Sequence, residues 1–249
     1  MSTDVLLRIR ATNDASLLKS YANSSDAELR SAVAANESTP VATLERLCED
    51  AHPQVLDALT QRGLRVRPRL RKPRKIITDA LVFRNVNVDD AEFILSLRTD
   101  PENARHISAT LPDLENQKKW LRTYESDPGQ AYFIIEDTGQ HPVGTVRLYN
   151  QLDDSISWGS WILKKGVPYI YSIISTMIVY RFALRLGFNR SHFEVRRQNS
   201  SVCRFHERFG ALRTAELDHE FQYEISFAAI HSALQKYHEF LPEGIEVDW

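Results

Sequence analysis

Apolar and polar positions along the chain follow two different patterns, which change near residue 65. Before that point, apolar residues recur at helical spacing in short bursts interrupted by Asn, Ser and Pro, which predicts short α-helices and no strand. A weak repeat of about 24 residues runs through this part, since Ala11-Thr12-Asn13 is echoed by Ala34-Ala35-Asn36. Repeats of that length bury their apolar faces by stacking, so residues 1–64 are predicted to form a small all-α helical-repeat domain.

Residues 65–78 are predicted to be a basic linker. The run from Arg65 to Lys75 contains seven cations, two prolines and no acid. Repulsion between like charges and the fixed φ of proline favour an extended, solvated tether. A second interpretation is a clamp for a polyanion, or for the phosphates of a bound cofactor or substrate.

Residues 79–241 combine strand-like alternation with helical periodicity. The predicted strands are residues 81–86, 132–136, 143–149, 156–163, 192–196, 212–217 and 223–227. The predicted helices are residues 89–97, 114–124, 172–187, 199–209 and 229–240. The order β-α-α-β-β-β-α-β-α-β-β-α indicates an α+β domain, and residues 242–249 are left as a tail.

Composition and charge exclude several classes of protein. Apolar residues make up 43% of the chain and charged residues 26%, as in folded globular proteins. The formal net charge of −2 gives no overall attraction to nucleic acid, so no specific nucleic-acid partner is expected. Signal-peptide and membrane-span patterns are absent from the sequence, which indicates a cytoplasmic protein. Two isolated cysteines and scattered histidines predict no metal site.

The stretch from Trp158 to Gly210 carries the main functional signal. It contains a tryptophan-rich strand, a turn at Lys164-Lys165-Gly166, a long apolar helix, a second strand and a helix that begins near Asn199. This order resembles the acyl-CoA-binding half of the GCN5-related N-acetyltransferase (GNAT) superfamily, and residues 80–240 follow the order of the whole family. The resemblance implies a GNAT fold, a mixed and mostly antiparallel central sheet flanked by helices. It also implies acetyl-CoA, or another short acyl-CoA, as co-substrate and no metal.

The resemblance further implies where acyl-CoA binds. The family holds the pantetheine arm on its fourth strand, so the backbone of Trp161, Ile162 and Leu163 is expected to contact it. A tight loop before a helix N-terminus offers converging N–H groups to a pyrophosphate. The residues expected there are Lys164, Gly166, Tyr169, Tyr171 and Ser172, and Ser172 is expected to act as N-cap or hydroxyl donor. Asn199 matches a family asparagine that touches the pantetheine arm.

The phosphate loop departs from the family, which usually has glycine or alanine where this chain has Tyr169 and Tyr171. Tyrosine does not adopt positive φ cheaply. Either the loop follows another backbone path, stiffened by Pro168, or CoA binds less well.

His206 lies where many family members have a tyrosine that protonates the leaving thiolate. Thiols titrate near ~8.5 and imidazole near ~6.5, so a protonated or hydrogen-bonding histidine would stabilise the thiolate of CoA. The candidates to take the proton of the attacking amine, directly or through water, are His106, Glu136 and Asp153. Each of the three is equally interpreted as a structural or solvated side chain. Cys203 is not expected to be a nucleophile, because no third group orients it.

The acceptor is predicted from a narrower resemblance. Residues 158–164 and 191–199 resemble family members that acylate the primary amine of nucleotide-linked amino-deoxy sugars for bacterial surface polysaccharides. Tryptophans and Tyr149 would suit a sugar face or a nucleobase, and Arg196, Arg197 or the basic linker would meet a diphosphate.

Two other functions stay open. The early helices and Trp120 also resemble a ribosomal-protein-type N-terminal acetyltransferase. A catalytically silent interaction module is the other alternative, in which residues 1–64 bind a protein partner or form a homo-oligomer. Residues 34–47 resemble the variant leucine-rich repeat, a family of paired short helices, which fits such a surface. The other interpretation of residues 1–64 is a helical cap that packs on its own catalytic domain.

Overall fold

The computed structural model describes residues 3–50 and 52–249. The chain divides into two compact units. One consists of Met1–Arg69 with Arg185–Gly187 and Trp249, and the other of Leu70–Leu184 and Phe188–Asp248. No helix among the described residues is long and apolar enough to cross a membrane.

The first unit is all-helical, as predicted. Its helices are α1 (Thr3–Ala11), α2 (Ala15–Tyr21), α3 (Ala27–Ala35), α4 (Val41–Leu47) and α5 (Pro53–Gln61). The carboxylates of Asp14 and Asp26 accept hydrogen bonds from the first-turn amides of α2 and α3 and so fix where these helices begin. Ile9, Leu18 and Val33 are fully buried in the core of this unit. That the helices form a stacked repeat stays a prediction.

The second unit is built on a nine-stranded sheet. Its strands are β1 (Lys75–Ile77), β2 (Leu81–Asn85), β3 (Ala131–Asp137), β4 (Pro142–Leu152), β5 (Ser155–Leu163), β6 (Arg190–Arg196), β7 (Leu212–Glu216), β8 (Glu220–Ile225) and β9 (Glu246–Asp248). They lie in the order β7-β8-β6-β5-β4-β3-β2-β1-β9. The β5–β6 pair is parallel and its neighbours are antiparallel, which confirms the mixed, mostly antiparallel sheet.

Helices cover both faces of the sheet, as the predicted fold requires. They are α6 (Ala91–Thr99), α7 (Pro101–Ala104), α8 (Leu114–Ser126), α9 (Ile170–Arg185), α10 (Ser200–Arg208) and α11 (Phe227–Lys236). Ile94 of α6 and Leu121 of α8 pack with Tyr132 and Ile134 of β3. Phe133 points the other way because side chains alternate along a strand, and its ring contacts Phe182 of α9, with ring centroids 6.1 Å apart.

Strands β1 and β9 were not predicted. Ile76 of β1 is fully buried and pairs with Phe83 of β2 and Val247 of β9. The end of the predicted basic linker is therefore extended but belongs to the sheet instead of being solvated. Arg74 is paired with Asp248 at 2.6 Å, so part of the predicted tail neutralises part of the basic run. Strands of three residues are too short to show alternation in a sequence.

The sheet opens next to β5. The register of β4 and β5 runs from Thr145↔Ile162 to Arg147↔Gly159, so β5 holds one extra residue there, and Ser160 has a φ of 46°. Such a β-bulge bends a strand. Parallel pairing with β6 runs from Ser155 to Ser157 and ends there, while β6 continues to pair with β8. A gap therefore separates the second half of β5 from the second half of β6.

Candidate functional site

Aromatic side chains line the gap on the face of α9 and α10. The rings of Trp158, Trp161, Phe193 and Phe205 surround His206, whose ring centroid lies 4.4 Å from that of Phe193 and 5.2 Å from that of Trp158. The indole of Trp161 donates a hydrogen bond to Ser175 Oγ of α9 at 3.1 Å, which fixes its orientation. The gap thus has one rigid apolar wall.

His206 is neutral near physiological pH. Its side chain is 4% exposed, and its Nδ1 atom has no hydrogen-bond partner in the described structure. Burial among aromatic rings disfavours the charged imidazolium and lowers the pKa of His206 to about 3. The expected protonated form is therefore not available. The hydrogen-bonding role toward a thiolate stays a prediction, with neutral imidazole as the donor.

A cavity of about 400 Å³ opens on the same face, between the start of α9 and α10. Trp161, Tyr169 and Ser172, all expected near acyl-CoA, line it together with Arg204 and Arg208. These two exposed arginines were not predicted from the sequence as candidate site residues. Their i, i+4 spacing on the helix that follows Asn199 was the available signal. Guanidinium groups beside a helix N-terminus fit the phosphates of CoA.

The loop before α9 does not require positive φ of its two tyrosines. Within the described residues, Gly166 has a φ of 82°, whereas neither Tyr169 nor Tyr171 has positive φ. The amides of Tyr171 and Ser172 donate 3.0 Å hydrogen bonds to the carbonyls of Pro168 and Tyr169, which makes a tight turn. Because α9 begins at Ile170, Ser172 lies inside its first turn, and the expectation that it is the N-cap is corrected.

The two lysines of the turn differ in their surroundings. Lys165 Nζ lies 3.2 Å from a carboxylate oxygen of Asp100 and 3.1 Å from one of Glu102. Lys164 is exposed, and its amide donates to the carbonyl of Val143 at 2.8 Å. Lys164 has no ion pair among the described residues, and its contact with a phosphate stays a prediction.

The remaining expected cofactor contacts have defined structural roles. Asn199 is the N-cap of α10, and its Oδ1 accepts a hydrogen bond from the amide of Val202 at 3.4 Å. Ile162 and Leu163 pair with β4 on one edge. Their other edge faces the gap, where no strand pairs with them in the described part of the chain. Contact of these three residues with pantetheine stays a prediction.

A second cavity, of about 420 Å³, lies on the opposite face of the sheet and is called the acceptor cavity below. Its lining includes Arg98 of α6, Trp120 of α8, Tyr132, Arg147 and Ser160. Arg98 donates to Thr110 Oγ1 at 2.8 Å, to Ser108 Oγ at 2.9 Å and to Ser160 Oγ at 3.5 Å. The guanidinium of Arg147 lies 5.6 Å from the centre of the Trp120 ring.

The acceptor cavity carries uncompensated positive charge. No ion pair among residues 3–50 and 52–249 involves Arg98 or Arg147. Burial lowers the pKa of Arg98, and the nearby charge of Arg147 also acts to lower it. Asp113 lines the cavity, but its carboxylate caps α8 by accepting from the Asn116 amide at 3.0 Å. Buried unpaired charges are costly, so this arrangement favours an anionic ligand.

The structure does not bring the three candidate bases together. Glu136 is bound by Arg84 at 2.8 Å, and Arg84 also binds Asp90. Asp153 is exposed in the β4–β5 hairpin, seven residues before Ser160, a span of about 23 Å along a strand. His106 is half-buried, two residues before Ser108 in the wall of the acceptor cavity, and its Nδ1 has no partner in the described structure.

Arg196 and Arg197, which were expected to meet a diphosphate, lie at the far end of β6. Arg197 is paired with Glu216 at 2.5 Å. Arg98 and Arg147 line the acceptor cavity, and no sequence motif joins them, because they lie on a helix and on a strand far apart in the chain. Within the described residues, no cluster of three or more His, Cys, Asp or Glu side chains could hold a metal ion.

The β5 bulge lies between the two cavities: Ser160 lines the acceptor cavity, and Trp161 lines the cavity beside α9. A cavity on each face of one bulge in an open sheet is the arrangement expected of an enzyme that brings two substrates together for group transfer.

Comparison with known proteins identifies the family. A family model described as the acetyltransferase (GNAT) domain matches residues 80–212. The solved structure of FdhC, described as a nucleotide-linked sugar GNAT, has 34% sequence identity and a TM-score of 0.59, covering 71% of this chain and 99% of that chain. The chain belongs to the GNAT family and is a GNAT-type N-acyltransferase.

More distant structures share the fold alone. Spermidine N-acetyltransferase from Vibrio cholerae, in complex with CoA and spermine, has a TM-score of 0.53 at 16% identity, covering 61% of this chain and 98% of that chain. A variant of the same enzyme, SpeG N152L, has a TM-score of 0.52 at 14% identity, covering 60% of this chain and 95% of that chain. No curated protein matches the sequence significantly.

Proposed function

We propose that the protein transfers an acetyl or short acyl group from acyl-CoA to the primary amine of a nucleotide-linked amino-deoxy sugar, of the kind made for surface polysaccharides. The observation that supports this acceptor is the pair Arg98 and Arg147, two guanidinium groups that line one cavity without an acidic partner in the described structure. Guanidinium groups bind the oxygens of a diphosphate with two parallel hydrogen bonds. Trp120 and Tyr132 add flat apolar surface for a base or a sugar.

The same charges disfavour a polyamine acceptor. An ammonium group near Arg98 and Arg147 would be repelled by both, and the low dielectric of a half-buried cavity strengthens that repulsion. The similarity to a nucleotide-linked sugar GNAT at 34% identity supports the anionic class, whereas the spermidine acetyltransferases resemble this chain in fold only.

The transfer is proposed to take place at the β5 bulge. The acceptor amine attacks as the free base, and a C–N bond forms at the acyl carbon while the C–S bond of the thioester breaks. The amine loses one proton, and the thiolate takes one up. Holding both groups beside Ser160 and Trp161 supplies most of the rate enhancement, because an oriented amine reacts at a high effective concentration.

Two histidines are proposed to serve this step. Neutral His206, in contact with Trp161, donates a hydrogen bond toward the leaving sulfur. His106, next to the wall of the acceptor cavity, takes the proton of the amine through water.

Thiol release from acetyl-CoA tests the proposal with three classes of acceptor: nucleotide-linked amino sugars, spermidine and peptides with free N-termini. We expect kcat/KM for the best nucleotide-linked amino sugar to exceed that for spermidine by about 100-fold. Arg98→Gln and Arg147→Gln should each lower it by about 30- to 100-fold, since a charge-assisted hydrogen bond contributes about 2 to 3 kcal/mol.

Arg122→Gln is the matched control, because Arg122 is exposed on α8 and does not line the acceptor cavity. Preferential turnover of spermidine or a peptide would refute the proposed acceptor. Full activity of the Arg98→Gln and Arg147→Gln variants would refute the role of the two arginines.

A further inference from the structure

A third cavity, of about 380 Å³, lies on the same face of the sheet as the acceptor cavity. It is called the polar cavity here, and its lining includes Tyr149, Ser155, Ser157 and His192. The strand registers pair Arg147 with Gly159, Tyr149 with Ser157, and Ser157 with His192. Paired residues point to the same face, so the two cavities lie side by side along β4, β5 and β6.

Tyr149 lies at the junction of the two cavities. The guanidinium of Arg147, which lines the acceptor cavity, lies 4.6 Å from the centre of the Tyr149 ring. The phenol oxygen lies 2.9 Å from the position that a Cβ atom on Gly159 would occupy. Because Gly159 has no side chain, the phenol of Tyr149 packs against β5, directly before Ser160. A group that lies on Tyr149 is held at the bulge.

The two cavities differ in charge. The acceptor cavity presents two guanidinium groups that have no ion pair among the described residues, whereas Ser155, Ser157 and His192 give the polar cavity neutral hydrogen-bonding groups on β5 and β6. Ser155 Oγ lies 2.8 Å from Nδ1 of His192, and burial lowers the pKa of His192, so its imidazole is neutral at pH 7. The lining of the polar cavity also carries one cation and two carboxylates. Arg190 is paired with Glu224 at 3.2 Å, and Glu194 has no ion pair among the described residues, so the lining has a net negative charge.

We propose that the acceptor binds across Tyr149 in one direction. Its diphosphate lies between Arg98 and Arg147, its amino-sugar ring lies over Tyr149, and the sugar hydroxyls enter the polar cavity. This inference rests on the proposed function. It places the amine beside Gly159 and Ser160, at the bulge. Arg147 and Tyr149 are two residues apart on β4, about 7 Å, which suits a diphosphate joined directly to one sugar ring.

The reverse direction is unfavourable on charge. It would place the diphosphate beside the carboxylate of Glu194 and the Arg190–Glu224 ion pair, and it would leave the two guanidinium groups of the acceptor cavity facing uncharged hydroxyls. Tyr149 and His192 are thus assigned as positioning residues for the sugar, and Arg98 and Arg147 as the ligands of the diphosphate.

Nucleoside diphosphates that lack the amino sugar test the direction in which the acceptor binds. Uridine and thymidine diphosphate, which lack the sugar, are titrated by calorimetry into wild-type protein and into the Arg98→Gln, Tyr149→Phe and His192→Gln variants. We expect Arg98→Gln to weaken nucleoside diphosphate binding at least tenfold. The other two variants should stay within about twofold of wild type. With the complete amino-sugar acceptor, Tyr149→Phe and His192→Gln should lower kcat/KM about tenfold.

His219→Gln is the control, since His219 is exposed in the β7–β8 turn. Loss of nucleoside diphosphate binding in the Tyr149→Phe or His192→Gln variants, with binding kept in Arg98→Gln, would overturn the direction. So would wild-type kcat/KM in both sugar-side variants. If wild-type protein acylates no nucleotide-linked amino sugar at all, the proposed function fails and this inference with it. That outcome is distinct from an active enzyme whose sugar-side variants behave like wild type.

Discussion

The surroundings of His206 disfavour the protonated, positively charged form of its imidazole. Aromatic rings enclose it, and Nδ1 finds no partner in the described structure. An imidazole buried in this way is retained in the folded state only while it is neutral. The residue that we propose as hydrogen-bond donor to the leaving group is therefore also a source of acid sensitivity.

We predict that protonation of His206 couples unfolding to pH. Its pKa falls from about 6.5 in the unfolded chain to about 3 in the folded protein, so the unfolded state binds the proton first as pH drops. The stabilisation is complete above pH ~6.5 and is lost progressively toward pH ~3, by about 1.4 kcal/mol for each pH unit.

Urea unfolding at several pH values between ~6.5 and ~5 measures this dependence, in a range where most carboxylates have not yet titrated. The His206→Phe variant, which keeps an aromatic ring at this position, should lose that slope. His219→Gln, at an exposed turn, should keep it. Equal slopes in wild type and His206→Phe would contradict the neutral buried imidazole.

At the residue scale, the residues expected on the cofactor side come from one continuous segment, whereas those of the acceptor cavity do not. Trp161, Tyr169 and Ser172 line one cavity together, and their contact with acyl-CoA stays a prediction. Arg98 lies on α6 and Arg147 on β4, two elements far apart in the chain that only the folded domain brings together. The burial that makes His206 neutral, and the packing that leaves Arg98 without an ion pair among the described residues, depend on the same tertiary structure.

At the scale of elements, α10 combines two faces. Its buried face carries Cys203, Phe205 and His206, and its exposed face carries Arg204 and Arg208 along the cavity beside α9. Cations at i, i+4 point in the same direction, so both guanidinium groups reach the same cavity. The N-cap Asn199 sets the start of this helix and thereby the position of both faces.

We predict that reversing these two charges weakens CoA binding. Arg204→Glu combined with Arg208→Glu should raise the dissociation constant of CoA by about tenfold or more at low salt, since exposed charges contribute up to about 1 kcal/mol each. The effect should shrink between ~0.05 M and ~0.5 M salt because screening weakens exposed charges. Isothermal titration calorimetry measures both quantities.

The control for this pair is Arg122→Glu, a charge reversal on the exposed face of α8 that does not line the cavity. If Arg122→Glu weakened CoA binding as much as the double variant does, the effect would come from net charge and the α10 site would be refuted.

Longer elements were predictable and short ones were not. The seven predicted strands and five predicted helices are all present within a few residues, because each is long enough to show its period. Strands β1 and β9, at three residues each, escaped prediction. The β5 bulge also escaped, since an extra residue at Ser160 is defined only by its register against β4.

At the scale of the whole molecule, the two cavities that we propose to hold the substrates lie on opposite faces of one sheet. Ser160 lines one cavity and Trp161 the other, so both proposed substrates fit at the same time. Cys203, the sole cysteine near the site in the described part of the chain, is 2% exposed. This layout favours direct transfer within a complex of enzyme and both substrates.

We predict sequential kinetics with no acylated enzyme. Initial rates measured while both substrates are varied should give intersecting lines in double-reciprocal plots, because the cavities fill independently. Cys203→Ala should keep this pattern and the activity. Parallel lines, together with an acetyl group found on the protein by mass spectrometry, would contradict direct transfer.

Three residue pairs join β5 to β6, and this junction, called the seam here, divides the central sheet into two parts. Six strands lie on one side of this seam and three on the other, and beyond Ser157 the seam is open. A pantetheine chain, whose amides repeat much as a peptide does, would complete the seam as a surrogate strand. Substrate binding would then change the rigidity of the sheet. The sheet would be most rigid while acyl-CoA is bound and would become more flexible when CoA is released.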